Sequence, residues 1–283
     1  MNRNSIADHV VAKLTESCER LRSDYIASGK VSHFYIDGVL PELIAESIRA
    51  AFPEGHNMRT RSNLRELKHV AAQMNKYNPI LEETLFAFQD QRIISLIEVI
   101  TGLKPLQPDK LLYAGGISMM SKGHFLNPHL DNSHDKDREM YRVLNLLYYV
   151  SPDWSFEKGG NLELWPNGVE GEPTTIESRF NRLVVMVTHR QSWHSVSPVQ
   201  VNEMRCCVSN YYFSHLPAEE KGYFHITSFR GRPEQPMRDL ILRVDAAIRG
   251  IVRKAFPKGL VETKHYYKND KQNADITKGT KRR

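Results

Sequence analysis

The sequence predicts a mainly β core, a double-stranded β-helix of the jelly-roll, cupin-like kind, buttressed by α-helices on its N-terminal and C-terminal sides. Three observations lead to it. Apolar residues recur at helical spacing through roughly the first hundred positions. From Leu111 the pattern changes to short runs rich in branched and aromatic residues, punctuated by Gly, Pro, Asn and Asp turns. After Pro217 a helical pattern returns. Many short strands between tight turns fit two sheets closing on a central cavity, and such a cavity can hold a metal.

The elements follow in order. Ile6, Val10, Leu14, Leu21 and Tyr25 recur near helical spacing, and HFYIDGV after them reads as a short strand. Pro41 opens the helix ELIAESIRAAF, with Leu43, Ile44 and Ile48 on its apolar side. Two more helices are predicted, Pro79 to Phe88 and Gln91 to Ile100, the second stopped by Gly102 and Pro105. Residues 1–105 thus read as a mainly helical buttress. The runs LLYAGGISMM, RVLNLLYYV, NLELW, RLVVMV and CCVSNYYF supply the β core over 106–216. YFHITSF offers one further strand, and Gln235 to Ala255 reads as an amphipathic helix through Leu240, Ile241, Val244, Ile248 and Ile251, completing 217–260. Residues 1–260 are therefore expected to form one domain, and 261–283 a basic, flexible tail.

Bulk properties narrow the function classes. At 283 residues, 40% hydrophobic and 25% charged, the chain has the make-up of a globular domain with a sizeable core. No apolar stretch approaches the roughly 20 residues of a membrane span, and MNRNSIADHV lacks a secretory apolar core, so the expected location is cytoplasmic and no membrane partner is expected. Cys18, Cys206 and Cys207 form no CxxC, which excludes a zinc-thiolate site and fits a reducing compartment. Net charge is +6, but residues 264–283 hold seven Lys or Arg against two Asp, so the body is nearly neutral. Nucleic acid is expected to bind only weakly, through that tail. Oligomeric state is left open.

The chemistry lies in a set of four residues. Of twelve histidines, only His129 is followed two positions later by an acid, Asp131. In an extended segment, residues i and i+2 share a face, so both side chains can enter one cavity. A single HxD or HxE is about what chance supplies in this composition. The order of parts adds weight: the HxD precedes several strands, His194 follows, and Arg205 lies inside the next strand. Two histidines and a carboxylate can take one face of an octahedral Fe(II) site and leave the opposite face open. Strand alternation aims Arg205 and Ser209 inward together. A buried guanidinium calls for an anion, either an internal Asp or Glu or a bound carboxylate that matches its planar fork.

From His129 to Phe213 the sequence resembles the catalytic core of the iron- and 2-oxoglutarate-dependent dioxygenases, specifically the prolyl 4-hydroxylase branch. The resemblance rests on HLDN at 129–132, LLYYVSPDW at 146–154, GGNLELWPNG at 159–168, FNRLVVMV at 180–187, HSVSPV at 194–199 and RCCVSNYYF at 205–213. It implies His129, Asp131 and His194 as catalytic iron ligands and Arg205 as the 2-oxoglutarate anchor, assisted by Tyr149 and Ser209. Fe(II), 2-oxoglutarate and dioxygen are the implied cofactor and co-substrates, with ascorbate in support. Gly159 and Gly160 read as structural, permitting a tight turn.

Two departures stand out: SMMSKG, with Met119 and Met120, replaces a tyrosine that usually touches the co-substrate, and the turn from His194 to Arg205 is about two residues longer than in the oxygen-sensing relatives.

The implied reaction is hydroxylation of an unactivated C–H bond in a protein prolyl residue or an amino-acid-like small molecule. Retention of the Asp131 carboxylate favours hydroxylation over halogenation. Desaturation or cyclisation at the same iron site, or a catalytically silent binding module, are the alternatives. The charged loop NSHDKDREMY, residues 132–141, follows the ligand pair, and Arg138, Tyr141 and Arg142 are candidate substrate contacts; a solvated connection between strands is the competing reading.

Overall fold

A computed structural model describes residues 1–255 and Tyr267; the predicted tail otherwise lies outside the described residues. The N-terminal helices form where the apolar spacing placed them. In α1 (Arg3–Glu16) the Asn2 side chain accepts from the Ser5 amide as an N-cap, and α1 and α2 (Cys18–Ala27) bury Ile6, Val10, Leu14, Leu21 and Tyr25. β1 (His33–Asp37) follows, then α3 (Glu42–Ala50), whose core side is Ile44, Ala45 and Ile48; Leu43 faces solvent instead. α4 (Pro79–Ala87) is capped by Asn78, and α5 (Gln91–Thr101) starts on Asp90 and stops at Gly102, whose φ of 74° is left-handed.

The helical buttress contains a hairpin that the sequence did not announce. β2 (Arg59–Ser62) pairs with β3 (Glu66–Ala71), and β3 pairs in turn with strands of the core. Its segment, RTRSNLRELKHVA, has no alternating apolar pattern, so its extended form comes from its neighbours.

The other strands are β4 (Gln107–Pro108), β5 (Gly116–Met120), β6 (Phe125–Leu130), β7 (Tyr141–Tyr149), β8 (Leu162–Leu164), β9 (Thr174–Ile176), β10 (Arg182–Val187), β11 (His194–Val196), β12 (Arg205–Ser214) and β13 (Ser228–Phe229). Every pairing among them is antiparallel. The order β1-β10-β7-β12-β5-β3-β6-β11-β8-β9 runs through one half of the barrel and turns into the other at β3, which pairs with both β5 and β6. This is the predicted double-stranded β-helix. The first part of LLYAGGISMM is not a strand, because the Asp109 carboxylate accepts from the amides of Tyr113, Ala114 and Gly115 and holds them in a loop. YFHITSF contributes only Ser228 and Phe229.

One buried asparagine ties the buttress to the core. Asn181 has a φ of 58°; its Oδ1 accepts from the Leu40 amide and the Tyr148 hydroxyl, and its Nδ2 donates to the Leu40 carbonyl. Asn181→Ala is expected to lose about 2–4 kcal/mol of stability in urea unfolding, because buried partners on both sides are left unsatisfied.

α6 (Pro236–Ala255) forms over the predicted span, with its apolar side turned to solvent. Leu242 is buried, whereas Leu240, Ile241, Val244, Ile248 and Ile251 are exposed. The side turned to the body is polar: Asp245 takes Arg65 at 2.6 Å and Arg249 at 2.8 Å, Arg249 donates to the Thr227 carbonyl, and Asp239 holds Arg230. Ion pairs and backbone bonds thus seat a helix that apolar burial would have turned round.

Candidate active site

Main-chain pairing builds the centre. β11 runs antiparallel to β6 with His194 directly opposite His129, and Asp131 follows immediately after the end of β6. Potential ligand atoms of all three lie within 4.8 Å of one another. Asp131 Oδ1 is 3.7 Å from His129 Nε2, and its Oδ2 is 3.7 Å from His194 Nε2.

The tautomer of each imidazole is set by the backbone. His129 Nδ1 lies 3.0 Å from the Asn127 carbonyl and His194 Nδ1 lies 2.9 Å from the Ser192 carbonyl. A carbonyl only accepts, so each Nδ1 carries the proton and each Nε2 presents a lone pair to the Asp131 carboxylate and the space beside it. Burial, followed by the neighbouring His194, pushes His129 down to about 3, which keeps it in the neutral form that a metal requires.

Asp131 is buried and charged. Burial opposes its ionisation, but Arg142 and then His194 and His129 outweigh it and hold the carboxyl down to about 2. Arg142 Nη1 sits 3.4 Å from Oδ1, while Oδ2 has no hydrogen-bond partner. A buried carboxylate oxygen left without a donor, aimed between two imidazole lone pairs, fits a divalent cation.

Beside this trio lies a buried cation with no acid. Arg205 is 3% exposed; its Nε donates to Ser178 Oγ at 3.3 Å, its Nη1 lies 3.9 Å from Met120 Sδ, and its guanidinium stacks on the Tyr149 ring at 4.7 Å. Among the described residues it makes no ion pair, so no internal Asp or Glu takes the anionic role. Arg205, Cys207 and Ser209 line one cavity of about 580 Å³ with His129, Asp131 and His194, as strand alternation requires.

Tyr149 lies behind that lining, fully buried, its hydroxyl without a hydrogen-bond partner and its phenol pushed by burial up to about 12. Gly160 lies beside Arg205 with a φ of 67°, and a Cβ there would come within 3.0 Å of Val199 Cγ2 and 3.4 Å of Arg205 Cγ.

Of the three loop residues singled out as substrate contacts, only Arg142 lines the cavity, with its guanidinium over the Tyr211 ring at 4.6 Å. Arg138 stacks on Phe224 at 4.2 Å, and Tyr141 packs against His134 and Tyr223; neither is in the cavity wall.

Sequence reasoning missed a supporting network beneath β11. Arg232 makes a two-pronged pair with Glu163, Ser195 Oγ donates to the same carboxylate, and Trp165 Nε1 donates to Ser195 Oγ. No local signal joins residues so far apart. It also missed Ser178 and the β2–β3 hairpin, whose Arg61, Arg65, Glu66 and Lys68 line the mouth.

Residues 115–213 match the family model of the 2OG-Fe(II) oxygenase superfamily. The match covers the β core and not the flanking helices, and there the chain is similar to that superfamily. The protein is a 2-oxoglutarate- and Fe(II)-dependent dioxygenase, with a His-Asp-His trio that fits an iron.

Its fold is similar to solved structures from several sources. A prolyl-4-hydroxylase from Pseudomonas putida aligns over 68% of this chain and 97% of its own, with a TM-score of 0.50 and 16% identity. Prolyl 4-hydroxylases from Phytophthora capsici align over 97% of this chain and 87% of theirs, at 0.52 and 16%. SnoN, a non-heme alpha-ketoglutarate-dependent epimerase of nogalamycin biosynthesis, aligns over 71% and 84%, at 0.50 and 15%. At such identities the likeness is one of fold. Compared by sequence with curated proteins, the oxygenase has no significant match. No described helix is long and apolar enough to cross a membrane.

Proposed function

We propose that this oxygenase hydroxylates an unactivated C–H bond of a peptidyl proline or an amino-acid-like small molecule, with His129, Asp131 and His194 holding Fe(II) and Arg205 binding the far carboxylate of 2-oxoglutarate. One observation carries the reading: a buried guanidinium without an acid shares a cavity with two imidazole lone pairs and a carboxylate oxygen without a donor. The chemistry supplied by Fe(II), when bound, is dioxygen activation coupled to decarboxylation of 2-oxoglutarate.

The chain's own residues do the rest. Both imidazoles are oriented by carbonyls, His129 is held neutral by burial, and Arg142 balances the charge on Asp131. Ser209, in the same wall as Arg205, assists in holding the distal carboxylate, and the Tyr149 ring supports the guanidinium from behind. Arg142, between the metal ligands and the open side of the cavity, is placed to donate to a substrate carbonyl.

Arg59, Arg61, Arg65, Lys68, Lys76 and Arg249 line the mouth, Glu66 pairing with Arg61 and Lys68 and Asp245 with Arg65 and Arg249, and the positive balance that is left favours substrates bearing a carboxylate. Desaturation or cyclisation on the same ligand set is the alternative outcome.

Protein reconstituted anaerobically with Fe(II) and 2-oxoglutarate is expected to form succinate once dioxygen is admitted, slowly even without a prime substrate. Absence of succinate would sink the proposal. A search for added oxygen in peptides and free amino acids then separates hydroxylation from desaturation.

A further inference from the structure

The outward face of α6 is apolar along its length. Met237, Leu240, Ile241, Val244, Ile248, Ile251 and Val252 are 38–73% exposed, while the opposite side carries the ion pairs that fix the helix to the body. At 100° per residue these seven side chains span an arc of about 120°. Within it Met237, Ile241, Val244, Ile248 and Ile251 follow one another in alternating steps of four and three residues. That is the 3.5-residue repeat by which one helix packs its knobs into the holes of another.

From this we infer that α6 is a dimer interface, packing against α6 of a second copy of this chain. The exposed stripe amounts to roughly 700 Å² of apolar surface, close to the ~800 Å² that each partner brings to a standard stable interface and above the roughly 300–600 Å² of the largest patch on a typical monomer. A two-fold axis needs a self-complementary surface, and a stripe of aliphatic side chains meets that need without any charge to match.

Other occupants fit less well. Residues 256–283 contain only Phe256, Leu260, Val261 and Ile276 as large aliphatic or Phe side chains, and those do not recur at 3.5-residue spacing. A lipid surface would favour Trp or Phe on the apolar face and unpaired basic residues beside it. Here the apolar face has no aromatic residue, and Arg249 and Arg65 both pair with Asp245 rather than standing unpaired beside it.

Sedimentation equilibrium of the full chain tests the inference, with Ile241→Asp and Ile248→Asp as variants on separate turns. The wild type is expected to be a dimer and each variant a monomer, its dissociation constant raised at least about 100-fold because a carboxylate would be buried in the seam. The circular dichroism spectrum and the uncoupled succinate formation of both variants should match wild type, since neither side chain touches the body of the site, while the melt should fall only as far as loss of the dimer lowers it. Ile248→Ala, which introduces no charge, should weaken the dimer less and serves if an aspartate variant does not fold. A wild-type monomer overturns the inference, whether it stays free in buffer or is recruited as a monomer to phosphatidylserine vesicles. A dimer unchanged in both aspartate variants overturns it as well.

Discussion

Asp131→Ala is expected to abolish turnover and to weaken divalent metal binding by more than the roughly 10–100-fold typical of losing a residue that only supports a metal ligand. The carboxylate is the negative charge that faces both imidazoles and the Arg142 guanidinium. Without it a cation would enter a pocket whose nearest formal charge is positive. Mn(II) titration followed by electron paramagnetic resonance reads the affinity directly, and succinate formation reads the activity. The folded state also changes sign locally, since Arg142 loses its one acid, and a buried unpaired charge is destabilising by about 3–5 kcal/mol. The melting temperature should therefore fall together with metal affinity. Asp131→Asn, similar in size but uncharged, separates the two causes: shape retained with charge lost should still lose most of the metal. An alanine variant that binds Mn(II) like wild type would remove Asp131 from the ligand set.

Arg205→Ala should act on the co-substrate and spare the metal. Truncating one partner of a buried, hydrogen-bonded charge pair costs about 2–5 kcal/mol, roughly 30-fold to several thousand-fold in the dissociation constant of 2-oxoglutarate. The expected effect on stability runs the other way from Asp131→Ala. In the free protein Arg205 is a buried cation held only by a serine hydroxyl, a thioether and an aromatic face, so its removal relieves a desolvated charge. An unchanged or raised melting temperature with collapsed 2-oxoglutarate affinity is the signature. Arg205→Lys keeps the charge but not the planar fork and should recover only part of the affinity. Affinity unchanged in the alanine variant would take Arg205 out of its role.

Much of this site was legible because period-2 alternation is a strong rule. Once the run at 205–213 was read as a strand, Arg205, Cys207 and Ser209 had to share a face, and all three line the cavity. The HxD pair was legible as chemistry but not as geometry. Only the register that sets His194 opposite His129 makes it a trio.

Elements formed by long-range polar contacts stayed hidden. The β2–β3 hairpin has no apolar pattern of its own, and the pairing of Arg65 with Asp245 joins residues 180 apart, which is also what turns α6 inside out. Leu111 to Ala114 looked like strand because nothing local shows that the Asp109 carboxylate captures three amides there. Met120, noted as standing in the stretch where related enzymes place a tyrosine, lies with its sulfur toward Arg205, a contact that chain order alone could not supply.

The two carbonyls behind the imidazoles have an evolutionary consequence. Each belongs to the residue two places before its histidine, Asn127 for His129 and Ser192 for His194, and each is main chain. No side-chain replacement at 127 or 192 deletes the acceptor, so drift at those positions leaves the lone pairs of both histidines pointing the same way. Replacing Asn127 or Ser192, both buried and hydrogen-bonded, would therefore be felt in stability and not in the tautomer of the histidine each supports.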